Sequence, residues 1–277
     1  MAEASMDPMP AAGDGEFVPP TPELLYERQG AVAYLTFNRP AARNAMTFAM
    51  YDGLYAACEH VDADDRVRVF VLRGAGDKAF VAGTDISQFQ AFTTAADALG
   101  YEQKINRYVG RLEAVRKPTI AAIRGYCVGG GAVLALACDL RLASADAQFG
   151  VPIARTLGNT LSTQNVGRMV ALLGDARTKE LLFTARLVDA DEGQALGLYN
   201  AVVPAEQLAV RTLELAEQIA ANAPLTLRSI KEAVRRIREQ GRLERADDLV
   251  LMCYLSADFK EGVSAFLAKR PPRWQGR

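Results

Sequence analysis

Apolar residues follow two interleaved rhythms along the first 170 or so positions of this chain, and a single one after that. Residues 31–37 (AVAYLTF) form a β-rich run ending at Asn38-Arg39-Pro40, a turn signal. From 47 to 61 the spacing becomes helical: Phe48, Tyr51, Leu54, Tyr55, Cys58 and Val61 share one side, with Asp52, Glu59 and His60 elsewhere. Residues 67–72 (VRVFVL) read as a buried strand. A β-like piece at 79–82 leads into Gly83-Thr84-Asp85. A helix is predicted over about 95–115, stopped by Lys117-Pro118. A strand at 119–123 (TIAAI), a glycine-rich turn at 125–131, an apolar helix at 132–138 and a strand at 140–143 follow. Strands alternating with helices predict an α/β fold with parallel pairing. Beyond residue 171 the strand signal fades. Amphipathic helices are predicted over 176–184, 189–196, 205–222, 226–239 and roughly 243–267, and no internal repeat is visible. The expected layout is a core over 23–200 and a helical region over 201–277, in one functional unit.

Composition narrows the function. The 277 residues suffice for one large domain with a real core, and half of them are hydrophobic. Lys and Arg total 32 against 33 Asp and Glu, a formal net charge of −1, which argues against a general nucleic-acid binder. Cys58, Cys127, Cys138 and Cys253 form no C-x-x-C pair and His60 is the sole histidine, so neither a zinc site nor a disulfide framework is expected. That cysteine usage fits a reducing, cytoplasmic setting. No run approaches the roughly 20 apolar residues that span a bilayer. Residues 1–22 carry five prolines and no Arg or Lys, and read as a flexible leader without signal or transit features.

Two short segments carry candidate chemistry. In Gly125-Tyr126-Cys127-Val128-Gly129-Gly130-Gly131 a strand turns into a helix. A helix start offers unpaired N–H groups and the positive end of the macrodipole, and glycines let a ligand reach the backbone. Close packing of helix on sheet would favour the same glycines. In Ala82-Gly83-Thr84-Asp85 an exposed N–H could pair with the first, two donors on one oxygen forming an oxyanion hole. The plainer alternative is a turn in which Asp85 caps a short helix over 86–89.

Read together and in order, residues 38–46 (NRPAARNAM), 78–86 (KAFVAGTDI), 117–144 (KPTIAAIRGYCVGGGAVLALACDLRLAS), 147–152 (AQFGVP) and 261–270 (EGVSAFLAKR) resemble the crotonase, or enoyl-CoA hydratase/isomerase, superfamily over about residues 24–270. The resemblance implies a spiral of ββα units with a C-terminal helical region, a homotrimer or hexamer, and an acyl-CoA thioester as partner, with no metal and no redox cofactor. It implies backbone donors at Thr84 and Gly130, and substrate contacts around Ala45, Ala82, Gly83, Asp85, Gly129 and Lys269.

One departure matters. The hydratases resembled here use two glutamates, at the positions of Val133 and Ile153 in this chain. Neither side chain can move a proton, so the two-glutamate mechanism is closed. No carboxylate lies between 147 and 174. The replacements considered are Tyr126, whose ordinary pKa near ~10 suits a base poorly; Arg155, which could pin a carboxylate; and Asn159 with Thr160, which could hold a water. Asp139 reads as structural, Cys127 lacks a histidine to activate it, and His60 reads as a solvated helix residue. A non-catalytic acyl-CoA binder, or a divergent CoA isomerase, decarboxylase or hydrolase, are the alternatives. The G-x-G-x-x-A match at 74–79 would mark a dinucleotide site only if a helix followed it. The basic run Arg228, Lys231, Arg235, Arg236, Arg238 reads as a solvated helix face, with a phosphate or RNA contact as its rival.

Overall fold

The computed structural model describes residues 17–89, 93–240 and 247–277. Its repeating unit is a pair of strands followed by a helix. Strands β1 (Leu24–Gln29) and β2 (Val32–Phe37) precede helix α1 (Phe48–Ala63). Next come β3 (Val69–Gly74), β4 (Ala79–Val81) and α2 (Ala95–Glu113), then β5 (Thr119–Ile123), β6 (Tyr126–Val128) and α3 (Gly130–Ala137). β7 (Leu140–Ser144), β8 (Gln148–Gly150) and the one-turn α4 (Ile153–Thr156) complete the series. The units share a backbone plan without sharing residues, which is why no repeat shows in the sequence.

The first unit keeps both its strands in one sheet, and each of the next three splits its strands between two. One sheet has the order β1-β2-β3-β5-β7-β9, where β9 is Ala201–Val203, and all its pairs are parallel except β1 with β2. The other has the order β4-β6-β8 and is parallel throughout. Side chains of the larger sheet alternate by face, as a period of two requires. Leu35, Phe37, Phe70, Leu72, Ala121 and Ile123 enter the main core, which also holds residues of α1, α2 and α3. Val32, Tyr34, Val69, Val71, Ile120 and Leu142 face the other way and pack with Leu208 and Ala216 of α8 (Leu208–Ala220). The sheet is therefore covered on both sides, which accounts for the continuous apolar run of β2.

Caps set the helix starts. The Thr47 side chain accepts from the Met50 N–H at the start of α1. At α2, Thr94 and Asp97 form a reciprocal capping box. The remaining helices are α5 (Thr163–Leu173), α6 (Asp175–Thr184), α7 (Ala190–Ala195), α9 (Pro224–Gln240), α10 (Asp247–Tyr254) and α11 (Ala257–Leu267). No helix among the described residues is long and apolar enough to cross a membrane.

Several expectations change. The helix predicted over 243–267 starts partly outside the described residues, and the rest is two helices. Ser256 breaks them and caps α11, accepting from the Phe259 N–H at 2.9 Å. Strand β9 was not predicted, because three residues between Asn200 and Pro204 carry too little pattern. Of the expected leader, residues 1–16 lie outside the described residues, whereas within 17–22 Phe17 stacks on His60 at 4.9 Å and Thr21 is buried, with Val18, Pro20 and Pro22 exposed. His60 is accordingly not solvated; Phe17 and Tyr26 enclose a side chain left only 15% exposed. After Gly74 the chain enters β4, not a helix, so the G-x-G-x-x-A match has no dinucleotide context.

The basic run on α9 is tied into the protein. Lys231 donates to Asp139 at 2.7 Å, Arg235 and Arg236 pair with Glu232, Arg236 also pairs with Asp248, and Arg238 pairs with Glu113. Asp139 also accepts from the Thr119 N–H and hydroxyl, which makes it the structural residue expected.

Glu113 of α2 is the hub of a buried cluster. It takes two hydrogen bonds from Arg168 of α5, at 3.2 and 2.6 Å, and Arg168 also donates to Asn165. Removing Arg168 leaves the buried Glu113 carboxylate with Arg238 as its remaining basic partner and without its two buried hydrogen bonds. Arg168→Met is expected to destabilise the fold by about 3 kcal/mol, read as a lower urea midpoint at unchanged slope.

Candidate active site

Strands β4 and β6 are adjacent and parallel, with Val81 opposite Cys127, so the chain leaves both at the same end. The two segments singled out above therefore meet. A Cβ built on Gly129 would lie 3.5 Å from the Gly83 Cα, and one built on Gly83 would lie 3.8 Å from the Val128 carbonyl.

The 82–85 loop is held from behind by residues 43–46. The Ala82 N–H donates to the Arg43 carbonyl at 3.0 Å. Met46 donates to the Gly83 carbonyl and accepts from the Asp85 N–H, both at 2.9 Å. In this parallel bridge the N–H of Thr84, between those partners, points away from Met46. Asn44 locks the arrangement: buried and in a left-handed conformation (φ 57°), it donates to the Ala75 and Ala79 carbonyls. Arg39 donates to the Ala45 carbonyl and to Asp85.

On the other side, Gly129 takes φ +55°, donates its N–H to the Gly150 carbonyl, and opens α3. The Gly130 N–H is the first of that helix and has no intrahelical acceptor. Among the described residues, neither the Thr84 nor the Gly130 N–H donates to any protein group. A Cβ on Gly130 would stand 3.5 Å from the Thr84 nitrogen. Since a Cβ lies about 2.5 Å from its own nitrogen, the two nitrogens are at most about 6 Å apart. That separation is within the span of two hydrogen bonds meeting at one atom.

The three glycines divide the labour. Gly129 supplies a left-handed turn, and Gly130 leaves room in front of the Thr84 N–H. Gly131 allows α3 to touch β4, since a Cβ there would lie 2.1 Å from the Val81 carbonyl. Both readings of the turn hold, each at its own residue.

A chain of hydroxyls flanks the Thr84 and Gly130 N–H groups. Thr84 Oγ1 lies 3.0 Å from Tyr51 Oη and 3.1 Å from Tyr101 Oη. Tyr51 is 1% exposed and stacks on Tyr108. Burial raises the pKa of both Tyr51 and Tyr101, so they stay protonated and donate rather than act as bases. The spacing of Tyr51 and Tyr101 on their helices marks them only as apolar-face residues; nothing in the sequence shows that their hydroxyls meet.

The sequence profile of the enoyl-CoA hydratase/isomerase family matches residues 27–277. The chain belongs to the enoyl-CoA hydratase/isomerase family. It is 34% identical to the short-chain-enoyl-CoA hydratase of Clostridium acetobutylicum, over 89% of this chain and 95% of that protein. It is likewise 34% identical to the 2,3-dehydroadipyl-CoA hydratase of Escherichia coli, over 92% and 99%. Among solved structures, an enoyl-CoA hydratase/carnithine racemase from Magnetospirillum magneticum superimposes with a TM-score of 0.87 at 35% identity, covering 94% of this chain and 97% of that one. DspI of Pseudomonas aeruginosa gives 0.85 at 32%, covering 95% and 100%. The ββα arrangement is thus the crotonase fold implied by the sequence motifs.

Other members of the expected site fall differently within this family fold. Tyr126 starts β6, at the opposite end of the strand from Gly130; its ring is 37% exposed and lies under the Arg43 guanidinium at 5.2 Å. That removes it as a proton carrier at the hole. Asp85 pins the loop: it accepts from the Ser87 hydroxyl and N–H, beginning a 3-10 turn over Ile86–Phe89, and pairs with Arg39. The Ser87 bonds and Arg39 lower its pKa, so it remains an ionised acceptor engaged by the protein. Ala45 belongs to the segment behind the loop. Arg155 on α4 and Asn159 beyond it are exposed, as is Lys269 after α11, and no described side-chain contact links any of the three to the hole. Cys127 is buried, its thiol pushed up in pKa by burial, and is no nucleophile. Val133 is buried, and Ile153 packs against the main core. A cavity of about 340 Å³ among α9, α10 and α11, lined by Leu225, Cys253, Phe259 and Trp274, includes none of the hole residues.

Gly131→Ala drives a Cβ into rigid backbone and should cost about 3 kcal/mol. Gly130→Ala puts a Cβ 2.7 Å from the buried Tyr51 hydroxyl, the end of a side chain that can shift where backbone cannot, and should cost less, about 1–2 kcal/mol. Paired thermal melts check this; equal losses would contradict the separate roles of the two glycines.

Proposed function

We propose that this protein is an acyl-CoA-transforming enzyme that holds the thioester carbonyl oxygen between the Thr84 and Gly130 N–H groups and stabilises the enolate formed there. The observation that carries the reading is the convergence of two unengaged backbone donors at the start of α3. Such donors are fixed before reaction, and they strengthen as charge moves onto the oxygen. The α3 dipole adds to this, its positive end at Gly130. The Thr84 side chain, bonded to Tyr51 and Tyr101, holds the residue that supplies the first donor.

The ordinary hydration route does not fit these residues. Val133 and Ile153 occupy the places of the two hydratase glutamates, and the candidate carboxylate closest in sequence to the hole, Asp85, is engaged by Ser87 and Arg39. The reading is therefore enolate chemistry with another proton carrier, as in a CoA isomerase, decarboxylase or hydrolase. No metal or redox cofactor enters it, and a homotrimer or hexamer in the cytoplasm is its expected form.

Exchange of α-protons reports the enolate whatever the final product. In D2O, the wild-type protein should incorporate deuterium at the α-carbon of at least one of acetyl-, butyryl-, 3-butenoyl- or phenylacetyl-CoA. Gly130→Ala should slow that by about 100-fold or more. Crotonyl-CoA hydration should run at least about 100-fold below a hydratase with both glutamates. Tight binding of these esters with no exchange would establish a non-catalytic acyl-CoA binder instead.

A further inference from the structure

We propose that the Thr84 hydroxyl is a third hydrogen-bond donor to the thioester oxygen, with Tyr51 and Tyr101 as the positioning residues that aim its proton. The inference rests on the enolate reading above. A single point beside Gly130 fixes the geometry. A Cβ built there would lie 2.7 Å from Tyr51 Oη, 3.2 Å from Thr84 Oγ1 and 3.5 Å from the Thr84 nitrogen. Because a Cβ stands about 2.5 Å from its own nitrogen, all three atoms fall within about 6 Å of the Gly130 nitrogen. That is within the span of two hydrogen bonds meeting at one atom. Thr84 therefore turns both its nitrogen and its hydroxyl toward Gly130.

Three hydroxyls share two contacts, Tyr51 to Thr84 at 3.0 Å and Thr84 to Tyr101 at 3.1 Å. Each hydroxyl carries one proton and two lone pairs, so three protons serve two contacts and one proton is left over. The surplus is not on Tyr51. That phenol is 1% exposed, and Thr84 is its hydrogen-bond partner among the described residues. Its proton goes to Thr84 Oγ1, since a buried O–H left without an acceptor is costly. Tyr101 follows the same polarity: a phenol, with its ordinary pKa near ~10, is the more acidic hydroxyl, and an aliphatic oxygen is the better acceptor. Burial raises the pKa of both phenols, so neither gives up its proton near neutral pH. With both lone pairs of Thr84 Oγ1 taken, its own proton points away from the two rings.

The three hydroxyls come from α1, the 82–85 loop and α2. Tyr51 is further held by its stack on Tyr108, whose own hydroxyl donates to Asp52 and stays outside the chain. The Thr84 donor is thus set before a ligand arrives, and its bond strengthens as charge reaches the oxygen.

The test is deuterium exchange into the same four CoA esters by wild type, Thr84→Val, Thr84→Ser, Tyr51→Phe and Tyr108→Phe, with ester affinities and thermal melts measured alongside. Thr84→Val keeps the backbone N–H and the side-chain shape but loses the hydroxyl. At saturating ester it should exchange about 100-fold more slowly than wild type while binding within about threefold, because the lost bond matters most at the enolate. Thr84→Ser should return the rate to within about tenfold of wild type, a rescue that follows the hydroxyl. Tyr51→Phe removes an aiming phenol and should lose about tenfold, whereas Tyr108→Phe should stay within about threefold. Exchange by Thr84→Val within about threefold of wild type overturns the third donor and leaves the two-donor reading standing. So does a loss that Thr84→Ser fails to recover, or one larger in Tyr51→Phe than in Thr84→Val, which would place the donor on Tyr51. An equal loss in Tyr108→Phe and Tyr51→Phe overturns the aiming role, showing disturbed packing instead. Absence of exchange by wild type overturns both readings.

Discussion

Everything distinctive about this protein depends on two parallel strands lying side by side. β4 and β6 end together, so the loops that leave them meet, and each presents one N–H with no acceptor among the described residues. A parallel pair cannot be joined by a hairpin. The fold meets that condition by sending the chain through α2 and β5 between β4 and β6, and the same ββα excursion recurs along the core. The larger sheet and its two hydrophobic layers form the frame that fixes the small sheet in place.

The polar architecture around the hole has two tasks. Arg39 and Asp85 tie the 82–85 loop to residues 39–46, and Asn44 ties that segment to the Ala75 and Ala79 carbonyls. Tyr51, Thr84 and Tyr101 form a hydroxyl chain on the inner side. Thr84 Oγ1 carries one proton and has two phenol neighbours, so at least one tyrosine must donate to it. Val133 is buried nearby in α3, and Ile153 packs against the main core.

Much of this was legible in the sequence. The strand–helix alternation of the first half, the helix starts at Thr47 and Thr94, and the two loop motifs all follow from short-range pattern. The family resemblance converts those motifs into a pair of donors. What stayed hidden is long-range. Residues 38–46 look like a turn, yet their role is to clamp a loop some 40 positions away. Tyr126 looks available beside the glycines, but a three-residue strand puts it at the wrong end. His60 was misread for the same reason, since Phe17 and Tyr26 close over it from the other end of the chain.

The central claim is that two backbone N–H groups polarise a thioester carbonyl. The most direct measurement is the 13C chemical shift of an acyl-CoA labelled at that carbonyl and bound to the protein. On binding to wild type the resonance should move downfield, as electron density is drawn toward the oxygen. With Gly130→Ala, under conditions that saturate the protein, it should stay near its position in water. A wild-type complex whose carbonyl resonance is unmoved would contradict the account, however tightly the ester binds.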